Sequence, residues 1–205
     1  CDFIGILSSS LSADSVQKGK SMLADKLNSK IASPILNLID DGTLDGGIGS
    51  APVDGEGIPT KRTPLIEKGC LKGFLHNIYT ANKWKTSSTG NSVRGGFKGL
   101  PGVGVTNLFV EKGNISREGL INGVNKGLYI TEAMGVHTAN PISGDFSIGI
   151  AGHYIENGKI SFPVRGVVMA GNILELMKGV EAVADDLRFF GRVGSPSIKI
   201  SEVVI

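Results

Sequence analysis

The three histidines, His76, His137 and His153, are the first residues to test for chemistry, and no two lie closer than 16 positions apart. That spacing excludes a His-x-x-x-His pair on one helical turn, which would aim two imidazoles at a single zinc ion. His76 follows an apolar run and His153 precedes another, as residues at a sheet edge or in a core do. His137, close to Gly135 and Thr138, is better placed to line a pocket. No Gly-x-Ser-x-Gly elbow is present, and Cys70 reads as a small buried thiol in a hairpin arm. The glycines between Gly95 and Gly104 do not form the Gly-x-x-x-x-Gly-Lys-Ser/Thr phosphate cradle.

Two polar groups remain. Asp40, Asp41, Asp54 and Glu56 are the nearest approach to a carboxylate cluster. Asp54-Gly55-Glu56 lacks the alternating oxygen ligands of a calcium loop, so these residues read as turn formers that bond their own backbone. The second group is Ser87-Ser88-Thr89-Gly90-Asn91 with Arg94, followed by Thr106-Asn107. Small hydroxyls, amides and glycines between apolar strands suit either of two roles: a groove that takes an extended peptide by strand addition, or a network of turns. Thr89, Gly90, Asn91, Arg94, Thr106 and Asn107 are the candidate peptide-binding residues. No residue is a candidate for catalysis or metal binding.

These residues must be positioned by elements rich in turns. Glycine accounts for 30 of 205 residues, about twice the usual ~7%. Spread singly along the chain, it marks many turns and therefore many short strands. Three turn signals share one chemistry: Glu67-Lys68-Gly69, Glu111-Lys112-Gly113-Asn114 and Glu156-Asn157-Gly158-Lys159. The last, Asn-Gly between apolar arms, is the strongest hairpin signal, because both central residues of its turn need positive φ. Ile35 to Ile39 is a short apolar run stopped by Asp40-Asp41-Gly42, and 45–57 reads as an ordered loop.

Three helices are expected. One runs from Ala13 to Lys30 with Ser12 as cap, and one runs from Ser116 through Val124 to Gly127. The third starts at Asn172 and carries Ile173, Leu174, Met177, Val180 and Val183 at helical spacing. Phe3-Ile4-Gly5-Ile6-Leu7 and Val203-Val204-Ile205 resemble buried strands, as if cut from a longer protein. The fold class is α+β, with largely antiparallel sheets, hairpins and about three helices in one domain over residues 1–205.

Composition narrows the function. A net charge of +2, without a basic stripe interleaved with aromatics, argues against direct nucleic-acid binding. No run approaches the ~18 apolar residues of a membrane span. Two cysteines, Cys1 and Cys70, make no disulfide framework, and a reducing, cytoplasmic setting is expected.

In order along nearly the whole chain, several strings resemble the carboxy-terminal half of TldD/PmbA proteins. They are Asp40-Asp41-Gly42, 54–60, 65–69, 71–75, Ser88-Thr89-Gly90-Asn91 with Arg94, and Thr106-Asn107. Then come Ser143-Gly144-Asp145-Phe146-Ser147, 154–159, Pro163-Val164-Arg165, Gly171-Asn172 and Gly194-Ser195-Pro196-Ser197. That resemblance implies a proteolytic system in which a TldD subunit binds zinc through His-Glu-x-x-x-His and a late cysteine. A PmbA/TldE subunit pairs with it. The family is also known as modulators of DNA gyrase.

Here the zinc motif would fall in Ile4-Gly5-Ile6-Leu7-Ser8-Ser9-Ser10-Leu11, and the late cysteine near Phe189-Phe190-Gly191-Arg192-Val193. Neither stretch holds such a ligand. The resemblance therefore implies a PmbA/TldE-type chain with no cofactor of its own and zinc on a TldD-type partner. The expected assembly is a homo- or hetero-oligomer acting on extended peptide, with an amino-terminal region preceding this one. Two other readings stay open: a module that binds gyrase, and a peptidase whose site uses His137, His153 or Cys70 with a carboxylate.

Overall fold

The computed structural model describes residues 1–201 and 203. Its strands, in chain order, are β1 (Leu38–Asp41), β2 (Arg62–Glu67), β3 (Cys70–Leu71), β4 (Ser92–Val93), β5 (Gly102–Val103) and β6 (Leu108–Val110). They continue as β7 (Lys126–Met134), β8 (Asp145–Glu156), β9 (Lys159–Asn172), β10 (Val180–Val183), β11 (Arg188–Phe190), β12 (Val193–Ser195) and β13 (Ile198–Ile200). The helices are α1 (Asp2–Ser10), α2 (Ala13–Gln17), α3 (Ile78–Lys83), α4 (Arg117–Asn122) and α5 (Ile173–Lys178). The fold is α+β, and every strand pair is antiparallel except β6 with β12.

A six-stranded sheet in the order β11-β12-β6-β1-β2-β3 holds the candidate site. Its inner strand β1 is buried at all four positions, although two of them are aspartates. The apolar core gathers Leu7 and Leu11 from the amino-terminal end, Leu38, Leu65, Ile66 and Leu108 from this sheet, and Ile148 and Ile150 from β8. Each fully buried aliphatic side chain contributes about 1.5–3 kcal/mol. Along β8, Phe146, Ile148 and Ile150 are buried while Asp145 and Ser147 are exposed, the two-residue period of a strand with one covered face. Beyond Ile150, β8 and β9 extend as a hairpin, with β7 on the other side of β8.

Two of the three turn signals close hairpins. Lys68 and Gly69 have φ of 46° and 76°, and Asn157 and Gly158 have 50° and 76°, so both turns take the expected left-handed pair. Glu111-Lys112-Gly113-Asn114 closes none: Gly113 instead donates its N–H to the Ala184 carbonyl, and the chain enters α4. A turn sequence makes a hairpin only when an apolar arm follows it, and here only Ile115 precedes the Ser116 cap.

The helices differ most from expectation: five α-helices occur among the described residues. Phe3 to Leu7 lies in α1 rather than in a strand, because Ile4, Leu7 and Leu11 recur at helical spacing and bury one stripe. The helix expected over 13–30 ends at Gln17; Gly19 at φ 66° and Asn28 at φ 61° turn the chain away. Ser12 is the N-cap residue there without a capping side-chain hydrogen bond. Val180 and Val183 belong to β10, since Gly179 ends α5. Of the expected strand Val203-Val204-Ile205, residues 204 and 205 lie outside the described residues. No helix among the described residues is long and apolar enough to cross a membrane.

Candidate functional site

Asp40 is the centre of the polar residues singled out above. It is 1% exposed and accepts three hydrogen bonds: from Asn91 Nδ2 at 2.6 Å, Thr106 N at 2.8 Å and Thr106 Oγ1 at 2.7 Å. Burial pushes its carboxyl above the ordinary value, and the bonds from Thr106 and Asn91 pull the other way. Asp41 caps the next turn, accepting from Thr43 N at 2.9 Å and Thr43 Oγ1 at 2.7 Å.

Asn107 extends the network into the loop that follows. Its Nδ2 donates to the Asp41 carbonyl at 2.7 Å and to Ser50 Oγ at 2.9 Å, and its Oδ1 accepts from Gly49 N at 2.9 Å. Gly49 lies so close to the Thr106 carbonyl that no side chain fits there. Asp54 ties the same loop to β4: its Oδ1 accepts from Glu56 N and Ile58 N, and its Oδ2 accepts from Ser92 N at 2.9 Å. The carboxylates therefore organise loops, as their turn chemistry predicts, over separations of up to 66 residues.

Of the six candidate peptide-binding residues, Asn91, Thr106 and Asn107 are 2%, 8% and 0% exposed and spend their polar atoms inside this network. Gly90 is buried at φ 76°, where a Cβ would lie 2.5 Å from the Pro59 carbonyl oxygen. Thr89 is half-buried and its Oγ1 accepts from His76 N at 2.7 Å. Arg94 is exposed; its Nε donates to the Gly55 carbonyl at 2.8 Å and its Nη1 to the Gly99 carbonyl at 3.0 Å, so it anchors two neighbouring loops. Asn91 and Thr106 meet at Asp40, with Asn107 next in the chain, whereas Thr89 bonds His76 and Arg94 bonds the Gly55 and Gly99 carbonyls.

α3 is not among the three expected helices. Asn77 and Thr80 form its capping box, with Thr80 N donating to Asn77 Oδ1 at 2.9 Å and Asn77 N to Thr80 Oγ1 at 3.1 Å. Asn77, three residues before a hydroxyl, was the legible signal. The Glu56 carboxylate accepts from Ile78 N at 2.9 Å at the start of this helix.

The histidines do not converge. His76 is buried edge-on to Trp84, and burial lowers its pKa. His137 is exposed on a 3-10 turn. His153 shares a shallow depression with Leu128, Tyr129, Ile130, Ile150 and Val164, and no carboxylate lines it. Among the described residues no serine, threonine or cysteine side chain bonds an imidazole, and no three His, Cys, Asp or Glu side chains gather as a metal-binding group would.

The two stretches where the resemblance would place the zinc ligands do come together: α1 packs against β12, and Cys1 Sγ at its start lies 3.9 Å from the Arg188 carbonyl oxygen. Their donor chemistry does not fit zinc. Ile4 and Leu7 are buried. The hydroxyls of Ser8, Ser9 and Ser10 donate to the carbonyls of Gly5, Ile6 and Pro141. β11 contributes Phe189 and Phe190. Zinc is held by imidazole, thiolate or carboxylate, and neither residues 4–11 nor residues 189–193 offer one; among the described residues the Cys1 thiol and Asp2 carboxylate at the start of α1 gather with no third such group.

Residues 1–205 match the family described as PmbA/TldA metallopeptidase C-terminal domain. An uncharacterized protein of Methanocaldococcus jannaschii is 38% identical over 196 residues, covering 95% of this chain and 45% of the relative. A Thermotoga maritima protein described as a modulator of DNA gyrase superposes with a TM-score of 0.91 at 35% identity, over 98% of this chain and 46% of that one. TldE from Thermococcus kodakarensis superposes at 0.88 and 30% identity, over 98% and 47%. The chain spans less than half the length of each of these proteins.

Proposed function

From the premise that this chain belongs to the PmbA/TldD metallopeptidase family through its C-terminal domain, we propose that it serves as the non-catalytic, PmbA/TldE-type subunit of a peptide-degrading complex. The observation that carries this reading is the donor set where α1 meets the β11–β12 hairpin: serine hydroxyls spent on carbonyls, and apolar side chains. A zinc peptidase activates water with its metal and an adjacent base, and these residues supply neither. Zinc would sit on a TldD-type partner, in the cytoplasm, with extended peptide as substrate.

In this reading Thr89, Gly90, Asn91, Arg94, Thr106 and Asn107 build one wall of the peptide groove. Thr89 and Arg94 reach its surface; the buried four set its shape through Asp40 and the Asn107 bonds. The likeness to TldE supports the PmbA/TldE-type reading. The Thermotoga relative's description as a modulator of DNA gyrase keeps gyrase as the rival partner.

The test is Asn91→Ala in the intact protein mixed with a TldD-type partner. Peptide cleavage should fall while the variant still folds and still binds the partner. Unchanged cleavage removes the groove from the proposal. A stable complex with gyrase and none with the TldD-type chain would replace it.

A further inference from the structure

Between Glu67 and Glu111 the chain holds no acidic residue but six basic ones: Lys68, Lys72, Lys83, Lys85, Arg94 and Lys98. With a net charge of only +2 overall, the rest of the chain is net acidic, so positive charge is gathered on this segment. The fold brings its middle part to one surface. α3 ends at Lys83, with Trp84 and Lys85 following it, and the β4–β5 hairpin carries the 94–101 tip. Asn77 Nδ2 donates to the Pro101 carbonyl at 3.3 Å, which fixes that tip beside the start of α3.

The tip is apolar where solvent would favour polar residues. Phe97 is 89% exposed and Leu100 is 91% exposed, with Tyr79 and Trp84 also open on the helix side. Glu56, the acidic residue bonded at the start of α3, already accepts from Ile78 N. Phe97 and Leu100 left in water, with Lys98 Nζ 5.4 Å from the Phe97 ring centroid, mark a binding surface rather than a packing accident.

We propose that this surface takes an acidic polypeptide segment bearing apolar side chains, and so selects negatively charged peptides for the adjoining groove. The inference rests on the groove reading above and names its substrate class. Carboxylates of the segment pair with the Lys83, Lys85 and Lys98 ammoniums, and its apolar side chains cover Phe97 and Leu100. Phosphate recognition fits less well. Arg94, the guanidinium suited to a bidentate phosphate grip, has its Nε and Nη1 on the Gly55 and Gly99 carbonyls.

The test is fluorescence anisotropy of a short labelled peptide in which Glu and Leu alternate among glycines, titrated with the intact protein. Two counterparts carry Lys for Glu, or Ser for Leu. The acidic, apolar peptide should bind at least about tenfold more tightly than either, and salt should weaken it. The variants Lys83→Glu/Lys85→Glu/Lys98→Glu and Phe97→Ser/Leu100→Ser should each lose that preference without lowering the melting temperature, because all five positions are exposed.

Equal binding of the three peptides, or unchanged binding by the variants, overturns the proposal. So does a clear loss of thermal stability in Phe97→Ser/Leu100→Ser, which would mean the protein itself covers the tip. Tighter capture of phosphatidylserine vesicles or single-stranded DNA by the same lysines would assign the surface to lipid or nucleic acid instead. Binding preference without cleavage in a TldD-type mixture would sink the subunit reading alone. Cleavage of acidic and basic peptides at equal rates would sink this inference alone.

Discussion

At the scale of single residues, Asp40 presents two opposed effects: burial disfavours its charge, and three donors stabilise it. Asp40→Asn tests which prevails. The amide offers one oxygen and an NH2 group to three donors, so at least one of them loses its acceptor, at a cost of about 1–3 kcal/mol. The folded carboxyl titrates above its ordinary value of 3.8. Its proton-linked contribution is therefore full below that value and is lost as pH rises through the folded value. Denaturant unfolding across that window should show the wild type's advantage over Asp40→Asn shrinking as pH rises; a gap that widens would reverse the assignment. The sequence marked Asp40, Asn91 and Thr106 as polar residues worth attention. It left groove and turn network as equal readings, because their junction spans 51 and 66 residues and no local pattern encodes it.

At the scale of elements, local chemistry was legible wherever it was self-sufficient. The Asn157-Gly158 and Lys68-Gly69 turns, the Ser116 cap with its 3.1 Å bond to Gly119 N, and the Asn172 cap with its 3.0 Å bond to Leu174 N all stood in the sequence. What failed needed a neighbour. The α1 segment reads as a strand by its apolar run and as a helix only by the stripe it buries; α3 is the exception, since its Asn77–Thr80 capping box is local. Gly158→Ala should therefore destabilise by about 1–3 kcal/mol, since φ is +76° there and the new Cβ would meet the Asn122 carbonyl oxygen at 2.8 Å. Asn77→Ala should cost about 1 kcal/mol through loss of the capping box. Denaturant midpoints check both, and an unchanged midpoint for Gly158→Ala would mean that the turn relaxes freely.

At the scale of the whole molecule, family membership follows from features distributed over the entire chain, and it agrees with the ordered strings read in the sequence. The proposed function depends instead on what stands at two meeting elements, α1 and the β11–β12 hairpin. In the proposed reading, the serines and phenylalanines there stand where a zinc-binding chain would need imidazole, thiolate or carboxylate. The most direct test is cleavage of an unstructured peptide by the intact protein, alone and mixed with a TldD-type partner, with and without a chelator. No cleavage by the protein alone, with cleavage in the mixture above that of the partner alone and abolished by chelation, is the predicted result. Cleavage by this protein alone would contradict the account and require a catalytic site elsewhere in the chain.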